Sequence, residues 1–127
     1  MTTTTYDGMR RALTQTNALG GVTTMVYNAI GEITSQTDPL AHQTQYAYDT
    51  RGWNTAITEA VGTSVQRTTT MGYDVLGRMT TWTDANNHTT TYGYDAVGRL
   101  RTATTPVGGV LTYTYDLAGE LDRKSVV

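Results

Sequence analysis

The chain has no cysteine, no phenylalanine and only two prolines, and Leu, Ile and Val together supply just 21 of its 127 residues. Without cysteine there is no disulfide framework and no thiolate metal site. No apolar run is long enough to cross a bilayer as a helix. The start, Met1-Thr2-Thr3-Thr4-Thr5-Tyr6, lacks the basic-then-apolar order of a signal peptide. A net charge of −2 with no basic stripe argues against nucleic acid as a partner. Aliphatic poverty often marks disorder, but disorder also brings high net charge and few aromatics. Here nine Tyr, two Trp and 29 Thr are present. Thr and Tyr suit a pleated, half-buried surface, so the composition predicts ordered β-structure with a thin core.

The organisation is repetitive. The phrase Tyr94-Asp95-Ala96-Val97-Gly98-Arg99-Leu100 has near copies starting at Tyr6, Tyr27, Tyr48, Tyr73 and Tyr115, in steps of 21, 21, 25, 21 and 21 residues. A short fixed period means one supersecondary unit used again and again. Each block holds two turn signals, exemplified by Asp74-Val75-Leu76-Gly77 and Asp84-Ala85-Asn86-Asn87. Asx at the first turn position can bond the downstream backbone, and Gly at the fourth can take a positive φ. Between the turns lie runs of Thr, Tyr, Trp and Met, each about six residues and roughly 20 Å long as strands. The block therefore reads as a β-hairpin. The prediction is all-β: tandem antiparallel hairpins in one curved, twisted sheet, a single array of six repeats over residues 1–127, not closed on itself. No capping sequence is evident at either end, so a fragment of a longer repeat protein is expected.

The repeat-defining positions are Tyr27, Tyr48, Tyr73, Tyr94 and Tyr115, then Asn28, Asp49, Asp74, Asp95 and Asp116, and Gly31, Gly52, Gly77, Gly98 and Gly119. The first copy carries Asp7 but puts Arg10 in the Gly slot. The next slot holds Arg11, Glu32, Trp53, Arg78, Arg99 and Glu120. Such variety predicts a solvated or shell-facing position there rather than a binding residue. Tyr46/Tyr48, Tyr92/Tyr94 and Tyr113/Tyr115 share a strand face, and stacked hairpins are expected to align them into aromatic ladders. The long step carries four extra residues around Ala60-Val61-Gly62-Thr63. Two more residues per strand would keep every side chain on its face; a longer loop on unchanged strands is the other option.

These residues resemble the YD-repeat, or Rhs-repeat, family from Tyr6 to Leu121, including Thr37-Asp38-Pro39-Leu40 between two copies of the phrase. The family includes bacterial polymorphic and insecticidal toxin-complex proteins and the animal teneurins. The resemblance implies hairpins that wind into a spiral sheet, a hollow shell enclosing a C-terminal toxin segment, and a secreted or cell-surface setting. Implied partners are further repeats of the same or a neighbouring chain. Six repeats alone imply an arc, and the family's self-cleavage motif is absent: Asp38-Pro39 is not followed by Gly-Leu.

Nothing points to catalysis, a cofactor or a metal. His42 and His88 occupy the same slot of two repeats and read as turn residues. The Asp residues lack the closely spaced oxygens of a Ca²⁺ loop. Ser35, Ser64 and Ser125 sit in no nucleophile elbow. Gly108-Gly109 reads as turn chemistry. Trp82 is expected in the core, while Trp53 is equally compatible with core and surface. The alternative to a structural wall is a carbohydrate-binding surface built from the Tyr and Trp rows.

Overall fold

The computed structural model describes residues 1–127, which form twelve strands joined by turns, without a helix. In chain order these are β1 (Thr3–Tyr6), β2 (Ala12–Thr16), β3 (Val22–Tyr27), β4 (Ile33–Thr37), β5 (Gln43–Tyr48) and β6 (Asn54–Glu59). They continue as β7 (Arg67–Tyr73), β8 (Met79–Thr83), β9 (Thr89–Tyr94), β10 (Leu100–Thr104), β11 (Val110–Tyr115) and β12 (Leu121–Val126). Two compact segments are distinguished, Met1–Thr68 and Thr69–Val127. In each, antiparallel strands lie side by side in chain order. β1 pairs only with β2 and β12 only with β11, so the arrangement is open, as the hairpin reading requires.

Register sorts the side chains onto two unlike faces. In the second segment, Met71 faces Trp82 across β7–β8, and Tyr92, Ala103 and Leu111 lie in one row across β9–β11. The opposite face carries the row Thr81, Thr91, Thr104 and a second row Gly93, Thr102, Thr112. The first segment repeats the division, with Tyr46 opposite Ile57 on one face and Gln45 opposite Thr58 on the other. Hydroxyl pairs such as Thr83–Thr89 at 2.8 Å and Thr58–Thr68 at 3.1 Å link the threonine rows. Since each face of the sheet is one layer deep, only Ala103 is buried, at 6 % exposure. The thin core expected from composition is thus a single residue beneath Tyr92 and Leu111.

One feature of register was not visible in the repeat. On each strand that follows a Tyr-Asp turn, one residue is skipped in the pairing: Leu13, Thr34, Thr55, Thr80, Arg101 and Asp122. Each is a β-bulge, which bends the strand and raises its local twist. The insertion also resolves differently from both expectations. β6 and β7 have six and seven residues against five and six in the equivalent β8 and β9, and the connection spans 60–66. Strands and loop share the extra length because the loop binds its own backbone and its neighbour. Val61 N–H donates to the Gln43 carbonyl at 3.0 Å and Gly62 N–H to Gln66 Oε1 at 2.9 Å.

Gly93 shows how closely the strands mesh. A Cβ there would overlap the Thr102 hydroxyl on β10, and one on Gly72 would overlap that of Thr81 on β8. Thr is stiff at χ1 and cannot swing away freely. Gly93→Ala is expected to lower stability in urea unfolding by about 1–3 kcal/mol, the usual cost of overpacking. Thr102→Ala in the same chain should restore most of that loss. An additive double mutant would show that the two positions do not press on one another.

Candidate functional site

The repeat-defining residues converge on one rim of each segment, where they build a five-residue turn and a bolt to the following turn. Asp95 shows the turn. Its Oδ1 accepts the backbone N–H of Val97 at 3.1 Å and of Arg99 at 2.9 Å. Asp95 N–H donates to the Arg99 carbonyl at 2.9 Å and Gly98 N–H to the Asp95 carbonyl at 3.0 Å. Gly98 has φ 90°, a left-handed conformation that costs an L-residue but not glycine. Asp7, Asn28, Asp49 and Asp74 repeat the paired amide bonds. In the first copy Arg10 occupies the strained position itself, with φ 63°.

In three copies the slot expected to be solvated or shell-facing is where one repeat grips the next. Arg99 Nε donates to Asp95 Oδ2 at 2.7 Å, and its guanidinium lies 4.5 Å above the Tyr115 ring, one repeat on. Arg78 does the same between Asp74 and Tyr94, and Arg11 between Asp7 and Tyr27. Each guanidinium also reaches the next turn's glycine: a Cβ on Gly98 would lie 3.4 Å from Arg78 Nη1, and one on Gly119 3.6 Å from Arg99 Nη1. These are ordinary contact distances, so what the slot requires of glycine is the backbone conformation.

Two of the variants keep the side-chain pair within the turn by other means. Where Asp becomes Asn28, Arg becomes Glu32, and the bond reverses: Asn28 Nδ2 donates to Glu32 Oε2 at 2.6 Å. Where Trp53 replaces Arg, Arg51 takes over the carboxylate of Asp49, with Nη2 at 2.6 Å, and stacks 3.6 Å from the Trp53 ring. Asp116 keeps only the amide bond from Glu120, at 2.9 Å. The same turn recurs at the other ends of the hairpins. There Asp38 and Asp84 accept from the backbones of His42 and His88 and meet their Nδ1 atoms at 3.0 and 3.2 Å. Both histidines are thus turn residues.

The tyrosines complete the bolt. Tyr27, Tyr48, Tyr94 and Tyr115 donate their hydroxyls to the carbonyls of Ala12, Ile33, Met79 and Leu100, each fifteen residues back, at 2.6–2.9 Å. Burial raises the Tyr94 phenol's pKa. The expected ring-to-ring ladders do not form, because the residues opposite Tyr46, Tyr92 and Tyr113 are Ile57, Ala103 and Lys124. An intervening strand separates successive tyrosine strands, so the rings meet arginines instead. Trp82, expected in the core, is 37 % exposed, since a single-layer sheet offers it no second layer.

These bonds hold the turn carboxyls below the ordinary carboxylate range. For Asp7, Asp38, Asp84 and Asp95 the largest cause is the amide four residues on. For Asp49 and Asp74 burial is the largest single effect and acts upward, but the amide and guanidinium bonds together outweigh it. A folded-state pKa below the unfolded one stabilises the protein above the unfolded pKa and is lost as pH falls. Resistance to thermal unfolding should therefore fall progressively below about pH 4, the range of free Asp. Asp95→Asn, which keeps an acceptor but cannot titrate, should flatten part of that fall. For the bolt itself, Tyr115→Phe should cost about 0.5–1.5 kcal/mol in urea unfolding. Arg99→Lys should recover little of the loss in Arg99→Ala, because the bond and the stack need a planar guanidinium.

Comparison with known proteins places this geometry. The family model described as RHS Repeat matches residues 27–64, 73–110 and 94–125. No curated protein matches the chain. Among solved structures, the crystal structure of TcdB2-TccC3-Cdc42 aligns at TM-score 0.70 and 21 % identity, over 83 % of this chain and 5 % of that one. TcdB2-TccC3 without its hypervariable C-terminal region aligns at 0.77 and 17 % identity, over 96 % of this chain and 7 % of that one. The Photorhabdus luminescens Tc holotoxin pore aligns at 0.58 and 17 % identity, over 98 % and 9 %. At these identities the likeness is one of fold, and this chain spans less than a tenth of each structure it matches.

Proposed function

The chain belongs to the RHS repeat family, and from that premise we propose that it is a wall segment of a repeat shell. Its work is mechanical, with no catalysis and no cofactor of its own. The wall belongs to a protein that acts outside the cell or at its surface and that encloses a toxin or effector segment. Its partners are further repeats and that enclosed segment.

The bolt from Asp through Arg to the next repeat's Tyr carries this reading, because in three repeats it turns the recurring side chains toward the neighbouring repeat. A sugar-binding row would need free ring faces and free hydroxyls. Here Tyr27, Tyr94 and Tyr115 each have an arginine over the ring and a hydroxyl already donated. That favours the wall over the carbohydrate surface.

Electron cryo-microscopy of the full-length gene product should show a hollow particle whose wall contains this segment. A solid or extended particle would sink the proposal. In parallel, the fluorescence of Trp53 and Trp82 should stay unchanged under titration with a panel of oligosaccharides. A saturable change with any of them would replace the wall by the sugar surface.

A further inference from the structure

Of the nine Lys and Arg residues, five hold a carboxylate: Arg11, Arg51, Arg67, Arg78 and Arg99. Three of the other four, Arg101, Arg123 and Lys124, lie on β10 and β12, either side of β11. Arg101 is the bulge residue of its repeat. The same slot holds Leu13, Thr34, Thr55, Thr80 and Asp122 elsewhere, so the repeat does not need an arginine there. Arg101 is exposed and makes no ion pair. Beside it is a cavity of about 300 Å³ lined by Asp95, Arg99, Arg101, Tyr113, Thr114 and Tyr115. That volume is at the small end of ligand sites.

The charge in this cavity is unbalanced. Asp95, the one acid in the lining, already accepts two amides and the Arg99 Nε, so it leaves the charge of Arg101 uncompensated. Arg123 stands opposite Thr114 in the β11–β12 register but lies outside the cavity lining, so the cations of the site are Arg99 and Arg101. Asp122 lies one strand beyond β11, in the matching bulge, and holds neither arginine. Two guanidiniums around a small polar cavity match a tetrahedral oxyanion, which can take a fork of N–H donors on each side.

We propose that Arg101, with Arg99 and Thr114, forms a binding site for a phosphate-class dianion. Arg99 belongs to the Asp–Arg–Tyr bolt as well as to this site, whereas Arg101 takes no part in the bolt, so a change at Arg101 tests the site without touching the wall contact. Arg101→Thr is the clean variant, because threonine fills this slot at Thr34, Thr55 and Thr80 and the fold should survive unchanged.

The test is amide NMR of the chain titrated with sodium phosphate at constant ionic strength, with sodium chloride as control. Saturable shifts confined to the amides of residues 99–101 and 112–115 are expected. Arg101→Thr, with an otherwise superimposable spectrum, should raise the phosphate Kd at least tenfold. Equal shifts with chloride, or an unchanged Kd in the variant, would overturn the site. Sedimentation with phosphatidylcholine vesicles carrying phosphatidic acid then identifies the source. Pelleting that Arg101→Thr abolishes assigns the site to a lipid headgroup, and phosphate binding without pelleting assigns it to a soluble phosphate ester.

Discussion

The structure depends on one local interaction, the Asx side-chain oxygen that accepts two backbone amides within its own five-residue turn. With a single buried residue, hydrophobic burial cannot set the conformation of each repeat. What fixes the corner must come from the corner itself. The carboxylate ties down residues two and four positions on, so the strands on either side leave the turn at a defined separation and register. Its second oxygen remains free to orient the arginine. One side chain thereby serves the fold of its own repeat and the contact to the next.

That economy explains which substitutions the repeat tolerates. Asn28 and Glu32 preserve the pair by exchanging donor and acceptor, and Arg51 preserves the ion pair from another position while stacking on Trp53 of its own turn. In these two turns the pairing is retained while the residue types change. A slot scored by residue identity alone therefore looks unconstrained, although the chemistry across it is not.

The turns, the strands and their antiparallel order were legible in the sequence because each rests on short-range signals: Asx and Gly at fixed offsets, with Thr and Tyr between them. The bulge and the bolt were not. A bulge leaves no compositional mark, since Leu13, Thr34, Arg101 and Asp122 share no chemistry, and only pairing reveals the skipped residue. One trace existed. A repeat of 21 residues is odd, whereas two strands and two identical turns that return each Tyr to the same face invite an even count, so one residue had to leave the pairing. The bolt was missed because it joins residues sixteen apart, Arg99 to Tyr115, across a strand that had to be placed before the contact could be seen. Trp82 was expected in the core and is 37 % exposed, because a single sheet covers a ring on one side only.

A sheet held by turns and neighbour contacts rather than by a core has stability that grows with repeat number. Each repeat contributes its own turn plus one interface, as in other quasi-one-dimensional proteins. Such an array can be lengthened without redesigning an interior, and a departure at one position disturbs only adjacent repeats. The 60–66 connection illustrates this, since its extra length is absorbed within one hairpin and by a bond to Gln43 on the neighbouring strand. The same locality leaves the bulge position free to vary. It sits outside the pairing and outside the bolt, so a residue there can acquire chemistry of its own at little cost to the wall.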